Sequence, residues 1–110
     1  MAFPSCSTLV ATVTMNPTVD VAAQTQSVRH THKLRTFGER EDPGGGGINV
    51  AKVTRALGGR ALAIALAGGS TGRLLGELLE ADGVPFRAMP INGRTRIGLS
   101  VTDAGTGEEY

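Results

Sequence analysis

Leu9, Ala11, Val13 and Met15 alternate with Thr8, Val10, Thr12 and Thr14, most of them β-branched or small. The pattern predicts a first strand over 8–15, broken by Asn16-Pro17. Residues 18–28 and 34–40 are small, β-branched or polar with no helical stripe, which predicts two short, partly exposed strands around a loop at 29–33. Asp42-Pro43 and the glycines from Gly44 to Gly47 read as a sharp break. Beyond it Ile48, Val50, Ala51, Val53, Thr54 and Leu57 recur at helical spacing, and Gly58-Gly59 supplies a stop.

Residues 61–67 form an uninterrupted apolar run between glycine pairs, short enough for a strand buried on both faces of a parallel sheet, although its alanines weaken strand propensity. Leu74, Leu75, Leu78 and Leu79 predict an amphipathic helix that starts near Ser70 or Thr71 and stops before Gly83. Phe86 to Met89 and Arg94 to Asp103 predict two more strands, the latter alternating Ile97, Leu99 and Val101 with Arg96, Gly98 and Ser100. This order is an α/β pattern with added antiparallel strands. Ala104 to Gly107 reads as a turn and Glu108-Glu109-Tyr110 as the start of a returning strand, so a truncated sequence is expected.

Composition narrows the possibilities. A chain of 110 residues, 40% hydrophobic and 19% charged, suits one globular unit and not several. Eleven basic against ten acidic residues leave a net charge of +1, which gives no support for nucleic-acid or anionic-membrane binding. The single cysteine, Cys6, cannot form an internal disulfide and has no flanking base or cation, so a small apolar role in a reducing, cytoplasmic setting is expected. No signal peptide is visible in 1–15, and the run 61–67 is too short to span a bilayer. Glycine is the outlier, with 16 residues against a usual share of roughly 7%.

The strongest candidate chemistry lies in 42–52. Glycines immediately before a helix let a hydroxyl or phosphate approach the backbone, where free helical N–H groups favour oxygen acceptors. Asn49, in the first turn, can both donate to and accept from a polyol. A flexible loop before an ordinary helix cap is the plainer alternative. The P-loop signature fails because Lys52 follows Ala51 and precedes Val53, and the dinucleotide fingerprint fails because Ala67 stands at its first glycine position. Asp20, just past the first strand, is either a turn acid or a ligand-binding acid at the sheet edge. Lys33 and Arg35, and again Arg94 and Arg96, are spaced to share a strand face and suit phosphate binding, with solvated edge charges as the alternative. His30 and His32 lack a third ligand, so no metal site is expected.

Taken jointly, residues 15–20, Lys33-Leu34-Arg35, Gly44 to Lys52, Gly58-Gly59, residues 67–72 and Thr95-Arg96 resemble the ribokinase-like (PfkB) family of carbohydrate kinases in order and spacing. Within it, four glycines before Ile48-Asn49-Val50 are similar to the phosphofructokinase branch. The resemblance implies the N-terminal part of a ribokinase-like Rossmann-type α/β sandwich with an added antiparallel β lid. The core would take about 7–16 and 44–90, and lid strands about 18–40 and 94–110. It also implies roles: Asp20, Gly45, Gly46 and Asn49 for sugar hydroxyls, Arg96 for the phosphate already on the sugar, Lys33 between sugar and transferred phosphoryl group, and Arg35 or Arg94 as further anion contacts. ATP with Mg2+ would be the donor, and a homodimer through the lid the assembly. The family's Gly-x-Gly-Asp motif, which carries the catalytic base, does not occur in this sequence. The expectation is therefore the acceptor half of a hexose-phosphate kinase, inactive alone, with a non-catalytic fragment or interaction module as the alternative.

Overall fold

A computed structural model describes residues 8–110, which leaves Cys6 outside the described residues. Eight elements follow in chain order: β1 (Leu9–Thr14), β2 (Thr18–Thr25), β3 (Thr36–Gly44), α1 (Gly46–Ala56), β4 (Arg60–Ala67), α2 (Gly69–Ala81), β5 (Phe86–Pro90) and β6 (Arg96–Asp103). They form two three-stranded sheets, ordered β1-β4-β5 and β3-β2-β6.

The first sheet is wholly parallel. Its register places Thr12 beside Ala63 and Thr14 beside Ala65, and these residues are buried with Ala61 and Ala67. Ile48 and Ala51 of α1 and Leu75 and Leu79 of α2 join β4's buried alanines in one core cluster, so both helices cover the same face of the sheet. The alanines that weakened the strand prediction have a purpose here. They form the helix-facing row, and small side chains let the helices approach the sheet.

The second sheet is mixed and not wholly antiparallel as expected. β2 and β3 pair antiparallel, but β2 and β6 pair parallel. Two parallel strands cannot be joined by a tight hairpin, and here the whole α1-to-β5 unit intervenes, long enough to return β6 in the same direction. Val19, fully buried, ties β2 into the core cluster, with Val21 packed beside it.

Three boundaries also differ from the sequence prediction. Asp42-Pro43-Gly44 is not a break but the last part of β3. Proline is tolerated there because β3 is an edge strand and need donate to no outer neighbour. Segment 26–35 is irregular throughout, with His30 and Thr31 in a turn where Thr31 has φ 58°, so Lys33 and Arg35 share no strand face. β6 begins at Arg96, not Arg94. The returning segment does reach β6: Tyr110 N–H donates to Val101 O at 2.9 Å, and Val101 N–H to Tyr110 O at 3.1 Å.

Asp103, read from the sequence only as the end of a strand, pins the irregular segment. Its carboxylate accepts from Val28 N–H at 2.8 Å, Gly105 N–H at 2.8 Å and Thr106 N–H at 3.0 Å. These donors, Val28 first, hold its carboxyl below the usual carboxylate range. Because the folded value lies below the unfolded one, the stabilisation is complete above the ordinary carboxylate pKa and is lost as pH falls through the lowered folded value. Amide exchange at Val28 should accelerate in that acid window, and Asp103→Ala should show the fast exchange already at neutral pH.

The face of the parallel sheet turned away from the helices is apolar and open. Val13 and Met89 are 59% and 50% exposed there, and Leu62, Ile64 and Leu66 are only half-buried. Parallel sheets are ordinarily covered on both faces. Residues 1–110 alone should therefore associate with rising concentration and bind a hydrophobic dye, and a sharp thermal transition of a monomer would contradict this.

Candidate functional site

The turn between β1 and β2 is the centre around which the polar residues gather. Thr14, at the end of β1, accepts a hydrogen bond from Ile48 N–H at 3.1 Å, and this fixes the first turn of α1. The N-cap, Gly45, has φ 134° and contributes no side chain, and a Cβ there would lie 2.6 Å from Thr14 Cγ2. That combination of conformation and crowding admits only glycine. The earliest N–H groups of a helix have no intrahelical acceptor, and here they follow the glycine cap.

Asp20 stands on β2, the central strand of the second sheet, on the face opposite Val19 and Val21. Its carboxylate makes no hydrogen bond or ion pair among the described residues. Glycines flank it on both neighbouring strands. A Cβ on Gly98 would come within 2.8 Å of Asp20 Oδ1, and one on Gly44 would collide with Asp20 Oδ2 and lie 2.7 Å from Thr18 Cγ2. The acid therefore rests over bare backbone on either side. Gly46 differs from Gly44 and Gly45, since a Cβ there would meet nothing within 4 Å. Crowding inside the chain does not account for that glycine.

Arg96 pairs with Thr18 in the β2–β6 ladder. Its guanidinium donates to Asn16 O from Nη2 at 3.2 Å and from Nε at 3.4 Å, which orients the side chain while leaving other N–H donors of its fork available. Asn49 is exposed on the first turn of α1, with its backbone N–H bound to Gly45 O at 2.9 Å. Thus Asp20, Gly45, Gly46, Asn49 and Arg96 all lie on the elements that meet at residues 14–18.

Lys33, Arg35 and Arg94 lie elsewhere. Lys33 and Arg35 line a separate cavity of about 510 Å³ beside Thr25 and Phe37, at the other end of β2 from Asp20. Asp20 and Thr25 are five residue steps apart along β2, roughly 17 Å at the usual rise. Arg94 packs at the start of α2, its Cγ 3.1 Å from where a Gly69 Cβ would be. The glycines at 68 and 69 are thereby accounted for by the 91–94 turn laid against them, with Gly68 N–H donating to Thr95 Oγ1 at 3.0 Å.

Several contributors were not singled out from the sequence. Asp42 is Asp20's direct partner across the β2–β3 ladder, and Arg40 Nε donates to its Oδ2 at 3.0 Å. Both line, with Asp20, Gly98, Ser100 and Glu109, a cavity of about 430 Å³ that climbs the sheet from Asp20. Gly98 had a legible signal, a glycine inside an otherwise alternating strand, which marks close approach. Thr14 had none, because a strand-end threonine looks like any other. Among the described residues no group of three His, Cys, Asp or Glu is placed to hold a metal ion, and no helix is long and apolar enough to cross a membrane.

Residues 10–110 match the sequence profile of the pfkB family carbohydrate kinases. The chain belongs to that family. It is 48% identical over 101 residues to the ATP-dependent 6-phosphofructokinase isozyme 2 of Mycobacterium tuberculosis, covering 92% of this chain and 30% of the relative. The protein of the same name from Escherichia coli is 41% identical, with 92% and 33% covered. The crystal structure of phosphofructokinase-2 from Escherichia coli in complex with fructose-6-phosphate superposes with a TM-score of 0.86 at 40% identity, over 92% of this chain and 33% of that one. The chain thus spans about a third of the length of these relatives, and their likeness identifies the architecture as the N-terminal part of a ribokinase-like α/β fold.

The two kinds of glycine should separate by substitution. Gly44→Ala is expected to cost about 1–3 kcal/mol by overpacking against Thr18 and Asp20. Gly46→Ala, in open space at the helix start, should leave stability unchanged or raise it by about 0.4–1 kcal/mol. Thermal unfolding of the two variants checks this.

Proposed function

We propose that this chain is the sugar-phosphate-binding part of an ATP-dependent kinase that phosphorylates fructose 6-phosphate or a related hexose phosphate. The observation that carries the reading is Asp20, an aspartate without a partner among the described residues, laid between the glycines of two neighbouring strands with the Arg96 fork on the same sheet face. An unpaired carboxylate over bare backbone suits a polyol, whose hydroxyls donate to it while the ring lies where side chains are missing. The names of the relatives supply the substrate class.

In this reading Asp20 accepts from sugar hydroxyls, and the open space at Gly46 with the backbone of Gly45 receives the ring. Asn49 holds a further hydroxyl. Arg96, already oriented by Asn16 O, offers its remaining donors to the phosphate that the sugar carries. These are positioning and charge-stabilising tasks, which dominate phosphoryl transfer. Lys33, Arg35 and Arg94 stand outside this group, and the reading does not depend on them. The donor is taken to be ATP with Mg2+. The described residues assemble no carboxylate cluster to hold the ion.

The second sheet, about 18–40 and 94–110, would act as a lid and as the contact of a homodimer. Ile97 and Leu99, 60% and 69% exposed, form an apolar stripe on the sheet face opposite Asp20. That placement would bury the stripe without covering the acid.

The test is kcat/KM for fructose 6-phosphate and for fructose in the full-length kinase carrying this chain. A charge-assisted contact is worth about 1.5–3 kcal/mol, so Arg96→Ala should reduce use of the phosphorylated sugar by at least about tenfold and erase the preference for it. Asp20→Ala should impair both sugars alike, because it addresses hydroxyls. An unchanged preference in Arg96→Ala would remove the phosphate-clamp assignment.

A further inference from the structure

Lys52, on α1, spans three elements. Its ammonium donates to Pro43 O at 3.4 Å and pairs with Asp82 Oδ2 at 3.4 Å. Pro43 is the penultimate residue of β3, and Asp82 is the C-cap of α2, just ahead of the Gly83 turn and the buried Val84. One side chain therefore joins the end of an edge strand, the helix that follows it and the turn between α2 and β5.

The end of β3 needs such a tie. β3 is bonded on one side only, so no outer strand holds its Pro43 end in place. Yet the next residue, Gly44, is the one whose backbone lies against the Asp20 carboxylate, and Gly45 and Gly46 continue from it. If the strand end lifted, the floor beneath Asp20 and the ring space at Gly46 would shift together. Asp82 restricts the ammonium, so that Lys52 holds Pro43 from one direction.

We propose that Lys52, fixed by Asp82, is a positioning residue that sets the height of the 43–46 backbone over Asp20 and thereby the affinity for the sugar phosphate. The inference rests on the functional reading above. Lys52 touches no substrate in this scheme and acts only through the loop. The pair is partly open to solvent, with side-chain exposures of 31% and 41%, at the edge of a groove of about 460 Å³ that Arg55 and Val84 also line. Pairs so exposed add little to overall stability. The clamp should therefore register in substrate affinity and hardly at all in thermal unfolding.

The experiment is steady-state kinetics and thermal unfolding of the full-length kinase carrying this chain. Lys52→Met keeps the aliphatic stem and removes the donor. It should raise KM for fructose 6-phosphate about three- to tenfold, the effect of losing one charged hydrogen bond seen indirectly, with kcat, KM for ATP and Tm little changed. Lys52→Arg should restore KM. Asp82→Asn, on the surface and expected to fold in any case, should move KM the same way by less, and combining it with Lys52→Met should add nothing further. An unchanged KM in Lys52→Met, failure of arginine to restore it, or a parallel fall in Tm and ATP affinity would overturn the clamp. If Lys52→Met does not fold, an unchanged KM in Asp82→Asn overturns it equally. A wild-type protein that phosphorylates no sugar phosphate would remove the functional reading itself, and the clamp with it.

Discussion

The backbone of the β3–α1 turn lies against Thr14, Pro17 and Asp20 at distances that leave no room for side chains at Gly44, Gly45 or Gly47. This contact joins the two sheets, because Thr14 ends a strand of one and Asp20 belongs to a strand of the other. It also starts α1, through the hydrogen bond from Ile48 N–H to Thr14 Oγ1. The helix in turn carries Ile48 and Ala51 into the core, so the crowding that creates the site also seats the helix. Loosening the turn would cost packing and site geometry together.

A second constraint comes from the one-sided parallel sheet. Both helices cover the face lined by Thr12, Thr14 and the β4 alanines, while the opposite face remains open and β1 has a neighbour on one side only. The chain spans about a third of its relatives' length, and they have further chain with which to cover such a surface. The polar face of the second sheet has the opposite character. Asp20, Asp42, Arg40 and Ser100 line an open cavity there, and Arg40 binds Asp42, which directly opposes Asp20 across the ladder, and so offsets one of the two like charges.

Much of the local structure was legible because it has local causes. The leucines at 74, 75, 78 and 79 lie within α2, and Gly58-Gly59 follows α1 after its single capping residue, as periodicity and stop signals predict. The misread elements have non-local causes. Asp42-Pro43 carries the chemistry of a break, and only the place of β3 at a sheet edge lets it remain strand. The direction of β6 relative to β2 is a property of the connection between them, which no alternation of Ile97, Leu99 and Val101 encodes. Thr14 and Asp103 are unremarkable in sequence, and their hydrogen bonds reach residues 34 and 75 positions away.

For the site, glycines before a helix, with Asn49 in its first turn, suggested a polyol or phosphate ligand beside the plainer reading of a loop and helix cap, and the resemblance to the kinase family rested on several motifs taken jointly from residue 15 to Arg96. What the sequence could not distinguish was which glycines are missing side chains for the fold and which for a ligand. Nor could it show that Lys33 and Arg35 end up at the far end of β2 from Asp20. Both depend on which atoms approach in space. Periodicity and turn chemistry act within a few residues and so determined the elements. The crowding at Gly44, the openness at Gly46 and the separation of the basic residues arise only when strands distant in sequence are laid side by side, and tertiary structure alone decided them.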